Sequence, residues 1–109
     1  MPSGNVPIQQ RIAGVYTAFA YEVLTVTTAV KTPTAATLIS GSKKARVAYI
    51  TVESQPINFT YDGTTPSATV GHNLTAGSTL VLTGYANIAA LQMYRSAASD
   101  ATVKITYEA

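Results

Sequence analysis

At 109 residues the chain is long enough for one domain with one modest hydrophobic core, and its apolar fraction of 47% is ordinary for a globular fold. Charged residues make up only 11% and the net charge is +2, too weak a balance for a surface that tracks nucleic-acid phosphates. The absence of cysteine removes disulfide frameworks and thiolate chemistry, and leaves the redox compartment open.

Residues 1–20 read as an N-terminal arm, because Pro2, Gly4 and Pro7 prevent regular structure at its start. Ile8, Ile12, Val15 and Phe19 recur at roughly helical spacing, which allows a short helix over 10–19, weakened by Gly14. The alternatives are a frayed end and an extended arm that packs along a neighbouring subunit, donating its backbone to an open sheet edge. Residues 21–30 (YEVLTVTTAV) are rich in β-branched and aromatic side chains and predict a strand with two covered faces. Pro33 marks a connection, Thr37 to Ile39 a short strand, and Ser40-Gly41-Ser42-Lys43 a turn.

Residues 45–54 (ARVAYITVES) give the clearest strand, with Ala48, Ile50 and Val52 inward and Val47, Tyr49, Thr51 and Glu53 outward. After Pro56, residues 57–61 (INFTY) resume the alternation, with Ile57, Phe59 and Tyr61 inward and Asn58 and Thr60 outward. Asp62-Gly63 is a turn signal, followed by a long loop with a short strand expected at Ser67 to Val70. Thr79 to Thr83 alternates, Gly84 to Asn87 reads as a turn, Ala90 to Arg95 as a strand, and Ala101 to Tyr107 as a last strand facing Val103, Ile105 and Tyr107 inward. Seven or so short strands with regularly spaced turns predict an all-β fold: a small antiparallel β-sandwich, jelly-roll-like or Ig-like, over 21–109. The rival, a helix on a five-stranded sheet, requires Ile88 to Tyr94 to be helical.

The inventory for catalysis is one histidine, His72, and five acids, Glu22, Glu53, Asp62, Asp100 and Glu108. A Ser–His–acid arrangement has only His72 to draw on, and no nucleophile-elbow motif surrounds it. The same inventory lacks the three or four ligands of a zinc site and the glycine-rich loop of a phosphate site. The chain is therefore expected to be no enzyme, with neither a metal nor a cofactor. No run reaches the roughly 18 apolar residues of a membrane span, and the N-terminus lacks the charged-then-apolar pattern of a cleaved export signal.

The low charge fits either a Thr- and Ser-rich soluble surface or one covered by other subunits. On the second view the arm supplies Ile8, Ile12, Val15, Tyr16 and Phe19 to a partner. Lys43, Lys44 and Arg46, the one basic cluster, would meet an acidic surface. Seven tyrosines against two phenylalanines and no tryptophan suit contact surfaces. Tyr49, on the less apolar face of its strand, and Tyr85 and Asn87, in a loop, are the candidates for oligomer or ligand contact.

The run ARVAYITVESQPINFTYDGTTPSATVGHNLTAGSTLVLTG, with the segment from Asn87 to Tyr107, resembles small structural proteins of tailed bacteriophage virions. The resemblance lies in the strand Ala48 to Glu53, in Pro56-Ile57, in Tyr61-Asp62-Gly63-Thr64-Thr65-Pro66, in Gly71-His72, Gly77, and Leu80 to Gly84. It covers the C-terminal two thirds and brings no catalytic motif. It implies a capsid decoration (cement) or head- or tail-associated protein, located in the virion and assembled in the bacterial cytoplasm. The expected partner is the major capsid protein or another virion protein, with the chain itself a symmetric homo-oligomer, such as a trimer, seated where capsomers meet. The alternative is a tail or fibre module whose Tyr85, Asn87 and 64–72 loop surround a host-surface glycan. A small hydrolase, the third reading, requires a carboxylate or nucleophile beside His72.

Overall fold

The computed structural model describes residues 16–109, and Ile8, Ile12 and Val15 lie outside them. Nine strands follow in chain order: β1 (Ala18–Val26), β2 (Ile39–Ser40), β3 (Lys43–Lys44), β4 (Val47–Glu53), β5 (Ile57–Thr60), β6 (His72–Leu74), β7 (Thr79–Thr83), β8 (Gln92–Arg95) and β9 (Ala101–Glu108). A single helical turn, α1 (Tyr85–Ala89), sits between β7 and β8. The strands form an antiparallel four-stranded sheet in the order β1-β9-β4-β7, a three-stranded sheet β6-β5-β8, and the small hairpin β2-β3. The expected all-β fold is what the chain adopts.

Two-residue alternation explains the larger sheet. In β9, Ala101, Val103, Ile105 and Tyr107 are buried, while Thr102, Lys104, Thr106 and Glu108 are half-buried on the opposite face. Ile105 pairs with Ile50 and Val103 with Val52, so the two central strands stack branched side chains on one side. Ala48 lies opposite Tyr107, where its small side chain leaves room for a fully buried ring. Leu24 and Val26 from β1, Leu82 from β7, Ile57 and Phe59 from β5, Met93 from β8 and Ile88 from α1 join the same core. One hydrophobic cluster thus draws on both sheets, the sandwich-like arrangement that apolar inner faces require.

The connections depart from the sequence reading in several places. β1 begins at Ala18, so the expected arm gives way to strand three residues before Tyr21, and Phe19 packs half-buried against the core. Thr17 and Ala109 exchange backbone hydrogen bonds of 2.9 and 3.0 Å, which continues the β1–β9 ladder past the strand end. Thr37 to Ile39 is not a strand: Ala35–Thr37 forms a 3-10 turn, and pairing starts at Ile39. Ser67 to Val70 is a turn, closed by the Ser67 N–H donating to the Val70 carbonyl at 3.0 Å. Gly84 to Asn87, read as a turn, leads into the helical turn α1, which ends at Ala89; the rival long helix does not form, and the strand expected from Ala90 pairs with β5 from Gln92.

The outward face of β5 is covered rather than open to solvent. Asn58 and Thr60 are buried, and the 61–71 loop lies over them. The Asn58 side-chain amide donates to the Ser67 carbonyl at 2.8 Å and accepts from Asn73 at 3.1 Å, while the Thr60 hydroxyl donates to the Thr64 carbonyl. These bonds satisfy polar groups that burial would otherwise penalise. Gly71 makes the approach possible. Its φ is +121°, and a Cβ there would fall 3.0 Å from the Phe59 carbonyl oxygen and 3.2 Å from the Asn58 Cβ. Gly71→Ala is therefore expected to lower stability by about 2 kcal/mol or more, since it adds contact strain to a conformation that L-residues avoid. A urea titration reads this. Gly41→Ala serves as a comparison, because Gly41 shares a positive φ but has open space around its Cβ position.

Candidate functional site

Three surfaces bring together the side chains that carry chemistry. The first is the outward face of the four-stranded sheet. The register places Tyr21, Thr106, Tyr49 and Val81 in one row across all four strands, and Val23, Lys104, Thr51 and Thr79 in the next. Tyr21 is 58% exposed and Val23 51%, high values for large apolar side chains. The charge in these rows belongs to Lys104, whose Nζ lies 3.2 Å from the Glu53 carboxylate. Tyr49 stands half-buried in the middle of this face, as its alternation required. Val47, assigned to the same face from sequence, is buried. Among the described residues β1 pairs only with β9, so the face ends in an open strand edge. That edge carries neither proline nor lysine, but it has a register irregularity between Ala18 and Ala20 and an inward-pointing charge, Glu22.

The second surface is a concavity of about 520 Å³ lined by Tyr16, Ser42, Lys43, Lys44, Arg46, Tyr85 and Ala109. The β2–β3 hairpin, turned at Gly41 with a φ of +61°, carries the lysines to it. Arg46 is tied to the end of β9, its N–H donating to the Glu108 carbonyl at 2.8 Å, and its own carbonyl accepts from Gly84 at 2.8 Å. Gly84 leads into α1, which sets the Tyr85 ring under the Lys44 ammonium at 4.8 Å. Five of the contact candidates named from sequence, Tyr16, Lys43, Lys44, Arg46 and Tyr85, therefore share one site although they come from three chain segments. Asn87 does not take part: its amide donates to the Thr83 carbonyl at 3.0 Å and ties the helical turn to β7.

The third surface is a cleft of about 490 Å³ lined by Thr60, Tyr61, Asp62, Thr64, Val70, Gly71 and His72. Tyr61 was expected to face the core. It is instead 41% exposed, because β5 ends at Thr60 and the alternation stops there. Its ring stacks on Phe59 with centroids 6.2 Å apart and planes at 15°. His72, expected in a loop, opens β6 opposite Phe59, with ring centroids 5.3 Å apart. Asp62 closes its turn by accepting from the Thr64 N–H at 3.0 Å, and that bond holds its carboxyl below the usual range, with a small contribution from His72. Among the described residues no carboxylate hydrogen-bonds the His72 ring. Tyr85 and Asn87 lie away from this cleft, and the glycan surface expected from sequence is split between two places.

No protein-family model, curated protein or solved structure matches the chain.

Among the described residues no three His, Cys, Asp or Glu side chains gather as a metal site would require, and no helix is long and apolar enough to cross a membrane. A further polar cluster is centred on Glu22 of β1. One oxygen of Glu22 accepts hydrogen bonds from the Thr34 N–H at 3.1 Å, the Thr37 hydroxyl at 3.0 Å and the Tyr107 hydroxyl. Burial pushes the Glu22 carboxyl up, but these donors outweigh it and the net shift is down. Burial, then the hydrogen bond to Glu22, pushes the Tyr107 phenol far up, so it stays protonated.

Proposed function

We propose that the chain is a non-catalytic structural protein of a bacteriophage virion that seats on assembled capsid subunits and stabilises the shell. The observation that carries this reading is the outward face of the four-stranded sheet. It bears two exposed apolar side chains, Tyr21 and Val23, in register with Tyr49 and Val81, and its one cation, Lys104, is paired with Glu53. A face of this composition suits protein rather than a small substrate, because tyrosine buries an apolar ring while keeping its hydroxyl hydrated at the margin. The resemblance of residues 45–107 to virion proteins points the same way. The arm would extend the contact through Ile8, Ile12 and Val15.

Tyr21→Glu with Val23→Glu places two carboxylates on this face without touching the core. On co-sedimentation with assembled shells of the major capsid protein, the double variant is expected to lose most of its occupancy, roughly a hundredfold in affinity if each side chain contributes ~1–2 kcal/mol. Unchanged occupancy would remove the face from the interface. A second reading, a tail or fibre module that binds a glycan, draws on the exposed Tyr61 ring beside Asp62 and His72. Saccharide titrations that shift the Tyr61 and His72 resonances, with no sedimentation on shells, would favour it over the first.

A further inference from the structure

We propose that the concavity between the β2–β3 hairpin and α1 is an anion site that takes the carboxylates of an acidic segment on a partner protein. The site is independent of the sheet face above and does not require the partner to be a capsid subunit. Lys104 and Arg95 each have a carboxylate partner, Glu53 at 3.2 Å and Asp100 at 2.6 Å. Lys43, Lys44 and Arg46 converge on one concavity, and among the described residues none of them makes an ion pair. The chain's own acids are placed elsewhere. Glu22 sits in β1 and is engaged by Thr34, Thr37 and Tyr107, Asp62 closes its turn, and residues 1–15 contain neither Asp nor Glu. Glu108 ends β9 and is not among the residues that line the concavity.

The groups present match carboxylates on a polypeptide. Arg46 offers a planar fork for bidentate pairing. Lys44 is held over the Tyr85 ring at 4.8 Å, which fixes an otherwise mobile ammonium at the wall. Tyr16 and Tyr85 add aromatic surface for the aliphatic part of Glu or Asp side chains, and the Ser42 hydroxyl adds a donor. A nucleic acid would need a track of cations along its phosphates. Here the three lie within four residues of sequence, and the net charge is only +2.

The test is fluorescence anisotropy with a labelled oligoglutamate peptide at low salt, beside a labelled single-stranded oligonucleotide of equal charge. The wild-type chain is expected to bind the peptide more tightly than the oligonucleotide, and to release it as salt rises and screening sets in. Lys43→Gln with Lys44→Gln and Arg46→Gln should weaken peptide binding about tenfold or more, since three exposed pairs of under ~1 kcal/mol each are lost. Arg46→Gln alone should give an intermediate loss, and Lys104→Gln, remote from the concavity, none. All the substituted residues are exposed in part, and an unchanged thermal transition confirms that each variant is folded. Tighter binding of the oligonucleotide would assign the site to nucleic acid instead. Equal losses in the triple variant and Lys104→Gln, or no peptide binding by the wild-type chain, would overturn the proposal.

Discussion

Ile105→Ala is expected to destabilise the domain by about 3–5 kcal/mol, a large part of the roughly 5–15 kcal/mol that holds a small domain together. Ile105 is fully buried in β9, flanked by Glu22 on β1 and Ile50 on β4. Both neighbouring strands are held by backbone ladders, so the lining cannot collapse into the vacated volume and the cavity persists. Thr106→Ala, one residue further and on the opposite face, should cost under about 1 kcal/mol, because it removes little buried surface. Urea unfolding of the two variants gives the comparison. Equal losses would mean that the alternation in β9 does not separate core from surface.

The second large effect concerns Glu22. Glu22→Ala removes the acceptor shared by Thr34, Thr37 and Tyr107. The Thr37 hydroxyl can still donate to the Thr34 carbonyl at 2.6 Å, but the Tyr107 hydroxyl belongs to a fully buried residue and would be left without its acceptor. A loss of about 2–4 kcal/mol follows from one orphaned buried donor and two weakened bonds. Tyr107→Phe, which removes the donor instead, should cost less, and a double-mutant cycle should show coupling between the two sites.

The same group makes stability depend on pH. The folded-state pKa of Glu22 lies below its ordinary value of 4.5, so the folded chain favours the ionised form. Its contribution is fully present above the unfolded pKa and is lost as pH falls through the folded one. The denaturation midpoint of the wild-type chain should therefore drop as pH falls below 4.5. Glu22→Gln should flatten that drop. Asp62, also shifted down, acts in the same direction through its turn. A variant that retains the full acid sensitivity would place its origin outside Glu22.

Strands β4, β5, β7 and β9 could be read from sequence because each keeps a clear two-residue alternation of apolar and polar side chains. β1 was found late by three residues, since Phe19 fits helical spacing as well as it fits a strand, and only pairing with β9 decides between them. β6 is three residues long and its sequence, His-Asn-Leu, carries no strand signal; its pairing with β5 makes it one. The covering of Asn58 and Thr60 was equally hidden, because it depends on where the 61–71 loop folds back. Gly71 was the available sign, as a residue that lets one backbone lie close on another. The site residues show the same division. Lys43, Lys44, Arg46, Tyr16 and Tyr85 each stood out by residue type, but their meeting depends on the β2–β3 hairpin, the Thr17–Ala109 pairing and α1 together. Tyr61 was misassigned to the core because its turn ends the strand one residue earlier than the pattern suggests.

Hydroxyl-radical footprinting of the tyrosines, free and on assembled shells, tests the central claim most directly. Tyr21 and Tyr49 lie in one row of the sheet face, whereas Tyr61 lines the separate cleft. Tyr21 and Tyr49 are expected to become protected on the shell while Tyr61 keeps the reactivity of the free chain. Protection of Tyr61 with Tyr21 and Tyr49 unchanged would contradict it.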